Sequence, residues 1–190
     1  MEKTDLIEIR WHGRGGQGAV TSAELLAKAA ISEGRYAQAF PSFGPERRGA
    51  PVTAFTRIST QNPIRIRAGI TEPDIIIVLD ATVLRVVNVV DGLKNNGVVV
   101  VNSKKTAAEL KKAFGGKGRL AVVDATTIAR ETLGVTIVNT TMIGALVKAT
   151  GVVKVESLME PVQERFGRLA EKNINAIKRA IEQTVVEGVA

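Results

Sequence analysis

A glycine-rich turn lies where the hydrophobic period of this chain changes from strand-like to helical. The segment HGRGGQG contains Gly13-x-Gly15-x-x-Gly18. Before it, Leu6 to Trp11 reads as a strand. After it, Val20, Ala23, Ala27, Ala30 and Ile31 fall on one face of a helix predicted from about Gln17 to Glu33. Gly34 then ends the helix. A strand-to-helix turn of this spacing brings backbone N–H groups up to a phosphate. Glycine suits it because a Cβ blocks close approach and penalises positive φ. Gly13, Arg14, Gly15, Gly16, Gln17 and Gly18 are therefore candidate residues for a nucleotide-type ligand.

Tyr36 to Phe40 reads as the next strand, which completes a βαβ opening and favours a parallel sheet. A dinucleotide site expects an acid about 20 residues beyond the glycines, on the ribose. Here that strand runs into Pro41-Ser42 without one. This argues against NAD. Arg47 and Arg48 suit either the ribose phosphate of NADP or the 3′-phosphate of coenzyme A.

Residues 41–51, PSFGPERRGAP, contain three prolines and two glycines and read as an ordered loop. Val52 to Ile58 has strong strand propensity. Ile64-Arg65-Ile66-Arg67 alternates, so an antiparallel hairpin is predicted across the Ser59–Pro63 turn. Asp74–Asp80, Gly97–Asn102 and Leu120–Asp124 are apolar runs suited to buried strands. Helices are predicted over Val83–Val90, Thr106–Phe114, Thr127–Leu133 and Thr140–Ala149. A final amphipathic helix runs through Leu158 to Val185, broken near Gly167. The fold class is α/β: a Rossmann-like, mainly parallel sheet with an antiparallel hairpin and C-terminal helices. A single domain over 1–190 is expected, with the helical element at about 155–187.

Asp80 and Asp124 follow apolar strands, where open α/β sheets bind ligands, although acids there also cap the next helix. Asn139-Thr140-Thr141 is a further candidate cap. His12 either lines the site or is a structural histidine.

Composition narrows the chemistry. There is no cysteine, which excludes a catalytic thiol, a disulfide and a cysteine-ligated cluster. One histidine argues against a histidine-rich zinc site. No apolar run reaches the roughly 18 residues that span a bilayer, and MEKTDLIEIRW lacks the order of a signal peptide. A cytoplasmic protein with no membrane partner is expected. The net charge of +7 favours an acidic partner or a polyanionic ligand. No nucleic-acid motif is present, and the pairs Lys104-Lys105 and Lys111-Lys112 read as solvated faces.

Taken together, GRGGQGAVTSAELLA (residues 13–27) and FPSFGPERRGAPV (residues 40–52) resemble the gamma subunit of 2-oxoacid:ferredoxin oxidoreductases, with the pyruvate enzyme the nearest match. The second loop carries Gly44-Pro45-Glu46, Arg48 and Gly49, with Ala50 where many members have a second glycine. The resemblance implies a Rossmann-like subunit of a cytoplasmic hetero-oligomer, inactive alone. It implies coenzyme A contacts from Gly13 to Gly18 and from Ser42, Phe43, Gly44, Pro45, Glu46, Arg47, Arg48 and Gly49. It places thiamine diphosphate on alpha and beta subunits and iron–sulfur clusters on partner chains, including a ferredoxin-like delta subunit. Ferredoxin would accept the electrons. In agreement, the chain lacks a GDG motif paired with a downstream Asn-Asn. A free-standing NADP-dependent dehydrogenase and a basic nucleic-acid or scaffold protein remain as alternatives.

Overall fold

A computed structural model describes residues 5–42 and 50–187. Its centre is a seven-stranded sheet of order β2-β3-β1-β4-β5-β6-β7. The strands are β1 (Leu6–Arg14), β2 (Tyr36–Pro41), β3 (Pro51–Ser59), β4 (Ile75–Val78), β5 (Val98–Asn102), β6 (Arg119–Val123) and β7 (Val185–Val186). Strands β1, β4, β5 and β6 pair in parallel, and β2 runs the same way. β3 and β7 run against them.

The all-apolar runs of β4 and β5 are explained by burial on both faces. Ile75, Ile77, Val98 and Val100 join one core cluster, while Ile76, Val78, Val99 and Val101 join another on the opposite face. The first cluster is covered by α1 (Ala19–Ser32), α3 (Ala125–Leu133), α4 (Asn139–Thr150), α5 (Met159–Phe166) and α6 (Ala170–Gln183). The second is covered by α2 (Ala107–Ala113) and the chain around residues 83–93. Thr106 and Glu109 form a reciprocal capping box on α2. The break predicted near Gly167 is present as a 3₁₀ turn, Gly167–Leu169, between α5 and α6. Among the described residues no helix is long and apolar enough to cross a membrane.

Three local expectations are corrected. The antiparallel strand at 52–58 exists, but its partners are β1 and β2, and Ile64–Arg67 forms no strand. Both edges of β3 are already occupied, so the alternating segment has no edge to join. For the same reason β2 does not neighbour β1: β3 lies between them. Val83–Val90 is not an α-helix. It opens as a 3₁₀ turn over Ala81–Arg85 and continues as irregular chain. Its five valines are β-branched, and the Val89 carbonyl is taken by the Arg10 guanidinium.

One close backbone approach positions the C-terminal helices. A Cβ on Gly144 would lie 2.4 Å from the Ile177 carbonyl oxygen, so α4 and α6 meet backbone to backbone. Thr140 also donates to Asn173 Oδ1 at 2.9 Å across that contact.

Candidate functional site

The glycine segment is half strand and half turn. Gly13 and Arg14 still pair with Val52 and Pro51, and Gly15 N–H donates to the Ala50 carbonyl at 3.0 Å. The chain then turns through Gly16, at φ 93°, and Gly18, at φ 85°. Gly18 also has a packing reason, because a Cβ there would lie 2.9 Å from Asn139 Cβ. Gly16 has none: nothing lies within 4 Å of its would-be Cβ, and the residue is exposed.

The turn is braced by Gln17. Its Oε1 accepts from Arg14 N–H at 2.7 Å, and its Nε2 donates to Asp80 Oδ2 at 2.7 Å. Arg14 Nε donates to Thr82 Oγ1 at 2.9 Å and lies 3.7 Å from Asp80 Oδ2. Thr82 donates its amide and hydroxyl to Asp80 Oδ1, at 2.8 and 2.7 Å. Burial pushes the Asp80 carboxyl up. The hydrogen bonds from Thr82 and Gln17 and the Arg14 charge together hold it below its ordinary value. Asp80 is thus an ionised cap whose oxygens are taken by protein donors. The N–H groups of Arg14, Gly15 and Gln17 have partners within the chain. Those of Gly16 and of the first turn of α1, which has no side-chain cap, face no such competitor among the described residues.

Beside this turn, a cleft of about 550 Å³ opens at the carboxyl ends of β4, β5 and β6. Gln17, Asp80, Ser103, Lys104, Lys105 and Thr126 are on its wall. From β1 the chain leaves through α1 toward β2 on one side, and on the other side it later returns as β4. The cleft therefore adjoins a topological switch point, where open α/β sheets place ligands. Its floor is fixed by Asn102, whose Nδ2 donates to the Leu79 carbonyl and to Thr126 Oγ1, each at 2.9 Å. Asp124 caps α3 through Thr127 N–H at 3.1 Å and lies 3.9 Å from Lys104 Nζ.

Of the sequence candidates, Gly13, Arg14, Gly15, Gly16, Gln17 and Gly18 come together at this end of the sheet. Ser42 is at the same end, on the edge, with its N–H on the Thr53 carbonyl at 2.8 Å. Phe43, Gly44, Pro45, Glu46, Arg47, Arg48 and Gly49 lie outside the described residues. His12 is buried, and its Nε2 accepts from Arg10 Nε at 3.0 Å. Burial, then the neighbouring Arg10 charge, pull its pKa down to about 3. It is a neutral structural histidine. The Asn139-Thr140-Thr141 cap is replaced: Val138 is the residue before α4, and Asn139 Oδ1 accepts from the next residue's N–H. The pair Lys104-Lys105 reads in sequence as a solvated face; both are exposed, and together with Ser103 they also line the cleft. Their position directly after the buried run of β5 was the available signal.

Comparison with known proteins fits this geometry. The pyruvate ferredoxin/flavodoxin oxidoreductase family matches residues 8–183. The chain is 57% identical over 183 residues to the pyruvate/ketoisovalerate oxidoreductases common subunit gamma of Thermococcus litoralis, covering 95% of this chain and 98% of that protein. It is 51% identical over 179 residues to the pyruvate synthase subunit PorC of Methanothermobacter thermautotrophicus, covering 94% and 96%. The crystal structure of pyruvate oxidoreductase subunit PORC from Thermotoga maritima superposes with a TM-score of 0.87 at 38% identity, covering 97% and 99%. The alternatives of a free-standing dehydrogenase and a basic scaffold gain no support from these relatives. The chain belongs to the pyruvate ferredoxin/flavodoxin oxidoreductase family and is of its gamma-subunit type.

Proposed function

We propose that this chain serves in a cytoplasmic, hetero-oligomeric 2-oxoacid:ferredoxin oxidoreductase and holds the coenzyme A that accepts the acyl group. The observation that carries the reading is the cleft at the carboxyl ends of β4, β5 and β6, open to Gln17 of the glycine turn. Its volume is in the range of small-molecule sites. Lys104 and Lys105 supply exposed ammonium groups to phosphates at one wall. Gly16 and the start of α1 offer backbone N–H groups at the other. Arg47 and Arg48, in the segment between Ser42 and Ala50, add further positive charge. Coenzyme A supplies the thiol; the residues here bind it, orient it and neutralise its phosphates.

The remaining chemistry belongs to other chains. Iron–sulfur clusters need thiolates, and this chain has no cysteine. Thiamine diphosphate falls to the alpha and beta subunits, the clusters to partner chains including a ferredoxin-like delta subunit, and the electrons to ferredoxin. A relative described as common to pyruvate and ketoisovalerate enzymes supports a further point. A subunit shared between two substrates does not choose between them, so 2-oxoacid selection lies elsewhere.

The test is coenzyme A titration of the assembled enzyme with two double variants. Lys104→Glu/Lys105→Glu and Arg47→Ala/Arg48→Ala are each expected to weaken coenzyme A at least about tenfold, because charge-assisted phosphate contacts are lost. Unchanged coenzyme A dependence in both would sink the assignment.

A further inference from the structure

Beyond Thr82 the chain that leaves β4 arches away from the sheet. Val83 anchors the arch at one end, and Val89 and Val90 anchor it at the other; all three are buried in the second core cluster. Arg10 fixes the far end from beneath, donating to the Val89 and Asp91 carbonyls at 2.9 and 2.6 Å. Between the anchors Arg85, Val86 and Asn88 are exposed, Val86 at 64%. A hollow of about 300 Å³ lies between this arch and Phe114, at the end of α2. It shares no wall residue with the cleft beside the glycine turn.

The wall of the hollow selects a kind of ligand. Apart from Arg85 and Asn88, every side chain on it is apolar, with Leu84, Val86 and Val87 along the arch and Phe114 opposite. Arg85 makes no ion pair with another described residue. Neither neighbouring acid along the chain is on the wall. Asp80 is held by Gln17, Thr82 and Arg14, and the charge of Asp91 acts on Arg10. The last turn of α2 adds exposed Lys111 and Lys112 before Phe114. One anionic group on an apolar body fits this wall. A guanidinium takes a carboxylate through two parallel hydrogen bonds. The volume is at the low end of small-molecule sites, which suits a ligand of a few carbons and not a nucleotide. Bare phosphate is disfavoured, because it leaves the valine and leucine methyls in water.

The arch is also joined to the cleft. The 3₁₀ turn Ala81–Arg85 carries Ala81 and Thr82 on the cleft wall and Leu84 and Arg85 on the wall of the hollow. Gln17 holds its cap, Asp80, at 2.7 Å, and Arg14 holds Thr82 at 2.9 Å. The N–H groups of Val86 and Val87 both donate to the Val83 carbonyl, at 3.0 and 2.9 Å. At roughly 2 Å per residue, Thr82 and Arg85 stand only about 6 Å apart along the turn.

We infer that this hollow binds a short branched aliphatic carboxylate, and that its occupancy tightens the neighbouring cleft for coenzyme A. The second half rests on the proposed coenzyme A role. A bound carboxylate draws in Arg85 and stiffens the arch. The 3₁₀ turn then holds Asp80 and Thr82 with less freedom, so coenzyme A has less ordering to supply. Two sources share this ligand chemistry, a branched 2-oxoacid and the simple acid without the keto group.

The test is a methyl NMR titration of the full chain with 3-methyl-2-oxobutanoate, 3-methylbutanoate and the neutral 3-methylbutanamide. Saturable shifts at the Leu84, Val86 and Val87 methyls are expected with both acids, and the tighter of the two identifies the source. The amide, and either acid with Arg85→Gln, should bind at least about tenfold more weakly, because the charge-assisted pair is lost. Arg67→Gln, at an exposed arginine off this wall, should change nothing. In the assembled enzyme, saturating 3-methylbutanoate should lower the coenzyme A Kd at least about fivefold in the wild type and not in Arg85→Gln. Shifts that do not saturate, or binding that the amide or Arg85→Gln matches, overturn the site. Saturable binding with an unmoved coenzyme A Kd overturns the link to the cleft. Coenzyme A dependence unmoved by both the Lys104→Glu/Lys105→Glu and Arg47→Ala/Arg48→Ala variants sinks the coenzyme A reading instead, and leaves the hollow standing.

Discussion

Gln17 Nε2 donates to Asp80 Oδ2 at 2.7 Å, which ties the glycine turn after β1 to the end of β4. The same side chain accepts from Arg14 N–H, so one amide holds both ends of the turn's geometry. Gln17→Ala removes both bonds and is expected to cost about 1–2 kcal/mol. It should also raise the pKa of Asp80 relative to wild type, since one of the donors to its carboxylate is lost. Urea unfolding and a carboxyl-resolved NMR titration check the two effects.

Gly16 and Gly18 should separate stability from ligand contact. Both have positive φ, but only Gly18 packs against a neighbour, Asn139. Gly18→Ala is expected to cost about 2–4 kcal/mol through backbone strain plus overlap. Gly16→Ala should cost about 1–2 kcal/mol, for strain alone. If Gly16 faces a phosphate, its alanine variant loses coenzyme A affinity out of proportion to that cost. Denaturation of each chain, paired with titration of the assembled enzyme, distinguishes the outcomes.

His12 should give the fold an acid sensitivity. Its folded pKa is about 3, against an ordinary value of 6.5. Between those values the unfolded chain binds the extra proton and the folded chain does not. Stability therefore falls as pH drops from about 6.5 toward about 3, by at most about 1.4 kcal/mol per unit for this one group. Above about pH 8 the residue contributes almost no slope. His12→Gln should flatten the difference in chemical-denaturation midpoints between pH 7 and pH 5. An imidazole that titrates in the native state near pH 6 would defeat the prediction.

The opening of the fold was legible because the apolar period changes sharply at Gly13–Gly18. The buried strands were legible for a different reason: Ile75–Val78 and Val98–Val101 are apolar on both faces, as only interior strands are. Val83–Val90 misled because its apolar spacing imitates a helix, whereas its backbone serves Arg10, a residue far away in sequence. Ile64–Arg67 misled because alternation records an extended chain and not the presence of a free edge. The candidate site was only half marked by local sequence. The glycines and strand-end aspartates were marked by local pattern, but Ser103–Lys105 joins them only because β5 lies beside β4 in the sheet.

The two glycine contacts have a joint consequence. Gly18 seats the turn on Asn139 at the start of α4, and Gly144 seats α4 on Ile177 of α6. The three layers touch with no side chain at the glycine positions to take up slack, so they align like stacked plates. The depth of the turn in the molecule is then set from behind, by a helix more than 150 residues away in sequence. Trimming the C-terminal helix would remove the reference surface against which the front of the site is aligned.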